Sequence, residues 1–425
     1  MADESTARSA DVAIVGAGAA GLATAIFTAR RRPESVVVAM DGAKKPGAKI
    51  LVSGGGRCNV TNTVVSAADF CGGSPNVVRR VLSAFPAPES VAFFREIGVE
   101  LHEEEHGKLF PDTNRARTVL DALLNEAARR GVHLLADHRV LSVERCADQF
   151  RIATSHGFFE ARRVVLATGG LSLPKTGSDG CGYGVAERLG HSLVPTTPAL
   201  APLVLEGDFH AALSGVSHPV ELTIAATGRK PARIRGALLW THFGVSGPAA
   251  LDASRHWHRA RLDNRDVSVS LNFLPGNDFA SAEQKLLTLA AEQPKVFLHN
   301  ALVTLLPARV CDAFLSRLGI ERRIVMAHLS REHRRRLIHG LLAWPLPVRD
   351  SRGYGYAEVT AGGVPLDELD PGTMASRKCP GLYLVGEILD IDGRIGGFNF
   401  QWAWSSAWVA ASGVASGARP LERMA

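Results

Sequence analysis

Asp11-Val12-Ala13-Ile14-Val15-Gly16-Ala17-Gly18-Ala19-Ala20-Gly21 is the stretch whose reading decides the fold. A short apolar run, sized for one buried strand, ends in glycines spaced GxGxxG. Leu22 to Arg32 follows as a helix-forming segment, and Pro33 closes it. A β-branched run, Val36-Val37-Val38, then leads to Asp41. Strand, glycine turn, helix, strand and acid in that order open a dinucleotide-binding α/β domain. Gly16 permits the tight turn, Gly18 removes a side chain where a pyrophosphate approaches, and Gly21 lets helix and strand pack closely. The diphosphate rests on unpaired amides at the positive end of the helix, around Ala19 and Ala20. Asp41 lies 20 residues beyond Gly21, where a carboxylate accepts ribose hydroxyls and repels a 2′-phosphate. The expected dinucleotide is therefore FAD or NAD and not NADP. Only one such fingerprint occurs, so one dinucleotide is held tightly.

Outward from this unit, Lys49-Ile50-Leu51-Val52-Ser53-Gly54-Gly55-Gly56-Arg57-Cys58-Asn59 is the most unusual segment. Three consecutive glycines cannot fill a core, but they let backbone wrap a flat or anionic ligand. Arg57 offers it charge and Asn59 amide hydrogen bonds. Cys58 is either a proton donor or a small packed thiol. Val164 to Leu166 reads as a buried strand ending in Ala167-Thr168-Gly169-Gly170, where backbone passes close to a cofactor. Gly386-Glu387 ends another strand, and Gly396-Gly397-Phe398-Asn399 opens a last helix. Amides at that helix start suit the electron-rich edge of a reduced flavin. Trp402, Trp404 and Trp408 read as packing residues of the same helix.

Between these segments the pattern changes. From about 195 to 274, short alternating runs such as Val220-Glu221-Leu222-Thr223-Ile224 predict antiparallel strands. From about 281 to 342, Leu286, Leu289, Val296, Leu302 and Leu306 recur at helical spacing. With 425 residues and 46% hydrophobic content, the chain is too apolar for disorder and long enough for two or three domains. No apolar run reaches the ~18 residues of a membrane span, and MADESTARSA at the start carries no signal-peptide pattern. Six cysteines without a CxxC pair predict a reduced, cytoplasmic protein with no structural zinc. Lysine and arginine number 48 against 42 acids, a net charge of +6. Two basic runs concentrate it, Arg255-His256-Trp257-His258-Arg259-Ala260-Arg261 and Arg331-Glu332-His333-Arg334-Arg335-Arg336. Each is either a solvated face or a phosphate-backbone footprint, with Trp257 available to stack on a base.

The motifs together resemble the BaiN/RdsA family of FAD-dependent flavoproteins (the YhiN-like group), nearly end to end. The residues responsible are the Gly16–Gly21 fingerprint, SGGGRCNVTN at 53–62, Ala167 to Ser172, Thr241 to Pro248, AEVTAGGV at 357–364 and GEILDIDGRIGGFNFQWAWSS at 386–406. The last block looks most like the RdsA branch. Asp41 stands where many members carry Glu, Phe398 replaces a frequent Tyr, and Phe243 replaces a common Arg.

The resemblance implies a glutathione-reductase-type, Rossmann-like FAD domain at 1–194 and 355–425. It implies an antiparallel β-barrel-like insertion at 195–275 and 343–354, and a helical insertion at 276–342. Non-covalent FAD is then expected against Gly16, Gly18, Ala19, Ala20, Gly21, Asp41, Lys49, Ser53 to Asn59, Val140, Thr168 to Gly170, Gly386, Glu387 and Gly397 to Asn399. NAD(P)H is expected as a transient donor. The chemistry implied is reduction of an activated C=C bond. The RdsA-like branch points to uridine in 23S ribosomal RNA; other members point to unsaturated ketones or amine oxidation. A non-enzymatic flavin sensor is a further alternative. Cys58, then His242, is the expected proton donor.

Overall fold

The computed structural model describes residues 8–416. The expectation drawn from the first ten residues falls mostly outside that range, as does the end of the 355–425 segment. Two compact units divide the chain, one running up to Thr196 and resuming at Glu358, the other from Thr197 to Ala357.

In the first unit, β1 (Arg8–Val15) and β2 (Val37–Met40) flank α1 (Ala19–Arg31). The strands pair in parallel, from Val12 with Val37 to Val15 with Met40. The continuous apolar sequence of these paired stretches, Val12 to Val15 and Val37 to Met40, is what a parallel sheet covered on both faces requires. Every residue of α1 from Ala20 to Ala29 is buried, which explains its alanines. α2 (Ala116–Arg129) leads to β3 (His133–Leu135), which extends the sheet beside β2. β4 (Val140–Cys146), β5 (Gln149–Thr154) and β6 (Gly157–Leu166) form an antiparallel meander. The long β6 also runs parallel to β1.

A charge cluster ties α1 to α2. Glu126 on α2 takes Arg30 at 2.6 Å, Arg129 at 2.6 Å and Arg130 at 2.9 Å, with its side chain 3% exposed. Burial opposes ionisation, but hydrogen bonds from Arg130, Arg30 and Arg129 outweigh it and hold the carboxyl down at about 2. The folded value lies below the ordinary one, so the stabilisation is full above about 4.5 and fades as pH falls toward 2. Glu126→Gln should therefore cost about 1–3 kcal/mol at neutral pH and less in acid. Urea titrations of both proteins at pH 7 and pH 3 read that difference.

The second unit is built on seven strands: β7 (Leu203–Leu205), β8 (Ser217–Ala226), β9 (Ala232–Thr241), β10 (Gly244–Ser246), β11 (Val267–Asn272), β12 (Trp344–Leu346) and β13 (Val348–Ser351). Their order is β12-β11-β8-β9-β10-β7-β13, antiparallel at every pairing. The two end strands are joined by Pro347 alone. A single residue spans only a few ångströms, so the sheet must curl until its ends meet. α3 (Gly247–Leu262) packs on β8 and β9.

Three larger helices follow: α4 (Phe279–Glu292), α5 (Ala308–Leu318) and α6 (Arg331–Leu342). They are not a separate insertion. Phe314 of α5 lies 5.2 Å from Trp344 of β12 and 5.6 Å from Phe273. One hydrophobic cluster holds the helical stripe and the sheet together. The change of period at residue 276 is thus a change of element within one core.

The chain then returns to the first unit with β14 (Val359–Gly363), β15 (Leu382–Leu384) and α7 (Phe398–Ser416). β15 runs parallel to the last three residues of β6. α7 lies along α1. Its indoles are packing groups: Trp402 donates to the Gly386 carbonyl at 3.2 Å and Trp404 to the Val60 carbonyl at 2.9 Å. Trp408 stacks on Phe85 at 4.8 Å.

Candidate cofactor site

The three fingerprint glycines do different work. Gly16 has φ +99°, and a Cβ on it would stand 2.5 Å from the Ala167 carbonyl oxygen. On Gly21 a Cβ would stand 1.9 Å from the Gly16 oxygen. Gly16 is fixed by contact with the end of β6, and Gly21 by contact between α1 and the turn before it. At Gly18 an added Cβ meets no protein atom within 4 Å. That glycine keeps space open. The first helical bond runs from Leu22 N–H to the Gly18 carbonyl, so the amides of Ala19, Ala20 and Gly21 precede the helical ladder. Asp41 accepts from Ala17 N–H and Ala43 N–H, each at 2.8 Å, and so also braces the turn. Open volume, a row of amides and a braced carboxylate fit a dinucleotide's diphosphate and ribose. Val140 is buried at the start of β4, next to Arg139, whose side chain lies against Gly42.

Gly54, Gly55 and Gly56 all take positive φ, and at Gly55 the space where a side chain would stand is empty. The polar residues of this loop are otherwise occupied. Arg57 pairs with Glu104 at 2.5 Å, and its guanidinium sits 4.1 Å from the Phe110 ring centroid. With its side-chain amide turned so that the nitrogen faces the Thr61 and Leu109 carbonyls, Asn59 donates to both and accepts from Gly397 N–H, stitching the loop to the start of α7. Ser53 donates to the Ile50 carbonyl. Cys58 has no exposed surface; burial pushes its thiol up to about 12, against a hydrogen bond with Ser53. Such a thiol keeps its proton and presents no open face, which argues for packing and against the donor role.

At the ends of β6 and β15 a second cluster forms. Gly170 lacks the Cβ that would stand 2.4 Å from Thr360 Oγ1 and 3.0 Å from Glu387 Oε1. Glu387 accepts from Lys49 Nζ at 2.5 Å, from Ser172 Oγ at 2.6 Å and from Thr360 N–H at 3.0 Å. Lys49 also reaches Ser172 Oγ. Thr168 and Gly169 pack against Gly182 and Ser178. Phe398 is fully buried and Asn399 is closed onto both backbone groups of Gly393, so their side chains face protein. Ser172 and Thr360 escaped the sequence reading, although both stand inside motifs it quoted. Among the described residues no cluster of three or more His, Cys, Asp or Glu could hold a metal, and no helix is long and apolar enough to cross a membrane.

The remaining sequence candidates lie in the second unit. His242 is exposed on the turn between β9 and β10, where its backbone hydrogen-bonds the His210 ring. The Arg255–Arg261 run is not a continuous basic surface. It lies on α3 with Trp257 turned into the core, 6% exposed. Burial also pushes the His256 and His258 rings down to about 4. Trp257 cannot stack on a base, because the apolar stripe of α3 buries it. In the second run Arg334 pairs with Glu283 at 3.2 Å and Arg336 bonds the Leu318 carbonyl. Arg331 and Arg335 are exposed, as are Arg317 and Arg323 nearby in the chain.

Residues 10–413 match the HI0933-like protein Rossmann domain family. A Haemophilus influenzae ribosomal RNA dihydrouridine synthase is 36% identical over 94% of this chain and 97% of its own length. A 3-dehydro-bile acid delta(4,6)-reductase from Clostridium scindens is 32% identical over 96% of this chain and 99% of its own. The 3-ketosteroid delta1-dehydrogenase of Sterolibacterium denitrificans shares the fold, with TM-score 0.52, 13% identity, and coverage of 97% of this chain and 100% of that one. With a family match over nearly its whole length and relatives above 30% identity that cover nearly all of both chains, the chain belongs to the HI0933-like family of FAD-dependent oxidoreductases.

Proposed function

We propose that this protein reduces the 5,6 double bond of a uridine in 23S ribosomal RNA, with NAD(P)H as donor. What carries the reading is the 36% identity to a ribosomal RNA dihydrouridine synthase across nearly the full length of both chains. Bound FAD would supply two-electron hydride chemistry between donor and acceptor. Gly18 and the amides of Ala19 to Gly21 would receive its diphosphate, Asp41 its adenosine ribose, and the Lys49–Ser172–Glu387 cluster its polar ribityl region. With one fingerprint committed to FAD, NAD(P)H would bind transiently and leave before the acceptor arrives. A ribosomal RNA substrate would place the protein in the cytoplasm.

The purified protein should be yellow, and denaturation should release its flavin. Initial-rate kinetics should be ping-pong; a ternary complex with NAD(P)H and RNA together would count against the transient donor. The decisive measurement is dihydrouridine in ribosomal RNA from wild-type and deletion cells. Loss in the deletion strain, restored by the gene, supports the reading, and unchanged dihydrouridine defeats it. Reduction of a C=C bond in a small unsaturated ketone is the second reading, favoured by the bile-acid relative.

A further inference from the structure

We propose that Glu358 delivers the proton that completes reduction of the acceptor's double bond. The proposal rests on the C=C reductase reading above. Glu358 stands between Ala357 and Val359, both buried, yet its own side chain keeps open surface. Its backbone is fixed on both sides: its carbonyl accepts from Ser172 Oγ at 3.3 Å, and Thr360 N–H, two residues on, donates to Glu387. The residue is therefore anchored beside the cluster that fits the cofactor, with part of its surface open to water. Surrounding protein pushes that carboxyl up from its ordinary value, against the fields of Lys49 and Lys108. The carboxyl is thus more proton-bearing than an ordinary glutamate, as a general acid near neutral pH must be.

The other candidates lack that combination. Cys58 has no open face and Lys49 is spent on Glu387 and Ser172. In the step proposed, a hydride originating from NAD(P)H adds to one carbon of the double bond. The π electron pair takes the Glu358 proton at the neighbouring carbon. The acceptor gains two electrons and two hydrogens, the nucleotide is oxidised, and Glu358 is left as a carboxylate facing Lys49 and Lys108. Water, which reaches the side chain, returns the proton.

Glu358→Gln and Glu358→Asp, compared with wild type, test this. FAD content and flavin bleaching by dithionite should be unchanged in both. Infrared titration of the wild type should show a protonated carboxyl persisting above pH 4.5, absent from E358Q. Anaerobic reoxidation of the reduced flavin by unmodified ribosomal RNA, or by an unsaturated steroid ketone, should slow about 10²–10⁴-fold in E358Q and less in E358D. The wild-type rate should fall as pH rises through the Glu358 pKa, and the E358Q rate should be flat. Wild-type-like reoxidation in E358Q, or loss of its FAD, overturns the proton-donor role while the reductase reading stands. Wild-type protein reoxidised by neither acceptor overturns both.

Discussion

Gly18→Val should weaken FAD binding at least ~10- to 100-fold and leave the apoprotein folded, whereas Gly21→Ala should damage the fold itself. The two positions are three residues apart in one motif, yet their surroundings are opposite. A Cβ at Gly18 meets open space, and the residue has φ −79°, which any amino acid adopts. Valine there takes up volume that only a ligand would use. An overlap of that kind costs about 1–3 kcal/mol or more, so affinity should fall on the order of 10- to 100-fold at least. At Gly21 the Cβ would stand 1.9 Å from the Gly16 carbonyl oxygen, and neither backbone can yield alone. α1 would have to lift from the turn that positions its amides, a strain of about 1–3 kcal/mol before any ligand is added. Melting of the apoproteins and flavin titration separate these effects. Equal loss of melting temperature in the two variants would refute the assignment of Gly18 to the ligand and Gly21 to packing.

That contrast also marks how far sequence reasoning carries. The fingerprint was legible because its parts are local: strand, turn, helix and acid lie within residues 11–41, and spacing alone orders them. The return of the chain end to the same sheet was legible from the apolar run at 382–385. The Glu387 cluster was not. Its members come from residues 49, 172, 360 and 387, and no periodicity predicts which hydroxyl or ammonium will meet one carboxylate. Arg57 shows the same limit. Beside three glycines it reads as a free cation, but Glu104 and Phe110 arrive from distant sequence and occupy it. Trp257 is a different case, because the signal was present. Ala249, Ala250, Ala253, Trp257 and Ala260 recur at three-to-four spacing and mark the buried stripe of α3. Counting charges in the run obscured its period.

Neutralising Arg317, Arg323, Arg331 and Arg335 together should weaken RNA binding and flatten its salt dependence. From Arg309 to Arg336 the chain carries eight arginines against three acids, an excess nearly as large as that of the whole protein. Arg334 is committed to Glu283, Arg336 to a carbonyl and Arg322 to Asp312. The four chosen residues are exposed, and each is expected to meet a phosphate if RNA is the substrate. Each lost contact should reduce the logarithmic salt slope by ~0.7–0.9, and four by about 3. Trp257→Ala is the matched control: it opens a cavity in the second core at a cost of about 3–5 kcal/mol and should leave the slope alone. FAD content and flavin reduction by dithionite should stay unchanged in the quadruple variant, since its substitutions lie outside the unit that carries the fingerprint. A slope that survives the quadruple substitution but flattens when Arg255, Arg259 and Arg261 are neutralised would move the footprint to the outer face of α3. A slope that survives both would leave these arginines as solvated charge, and the small-molecule reductase reading would then lead.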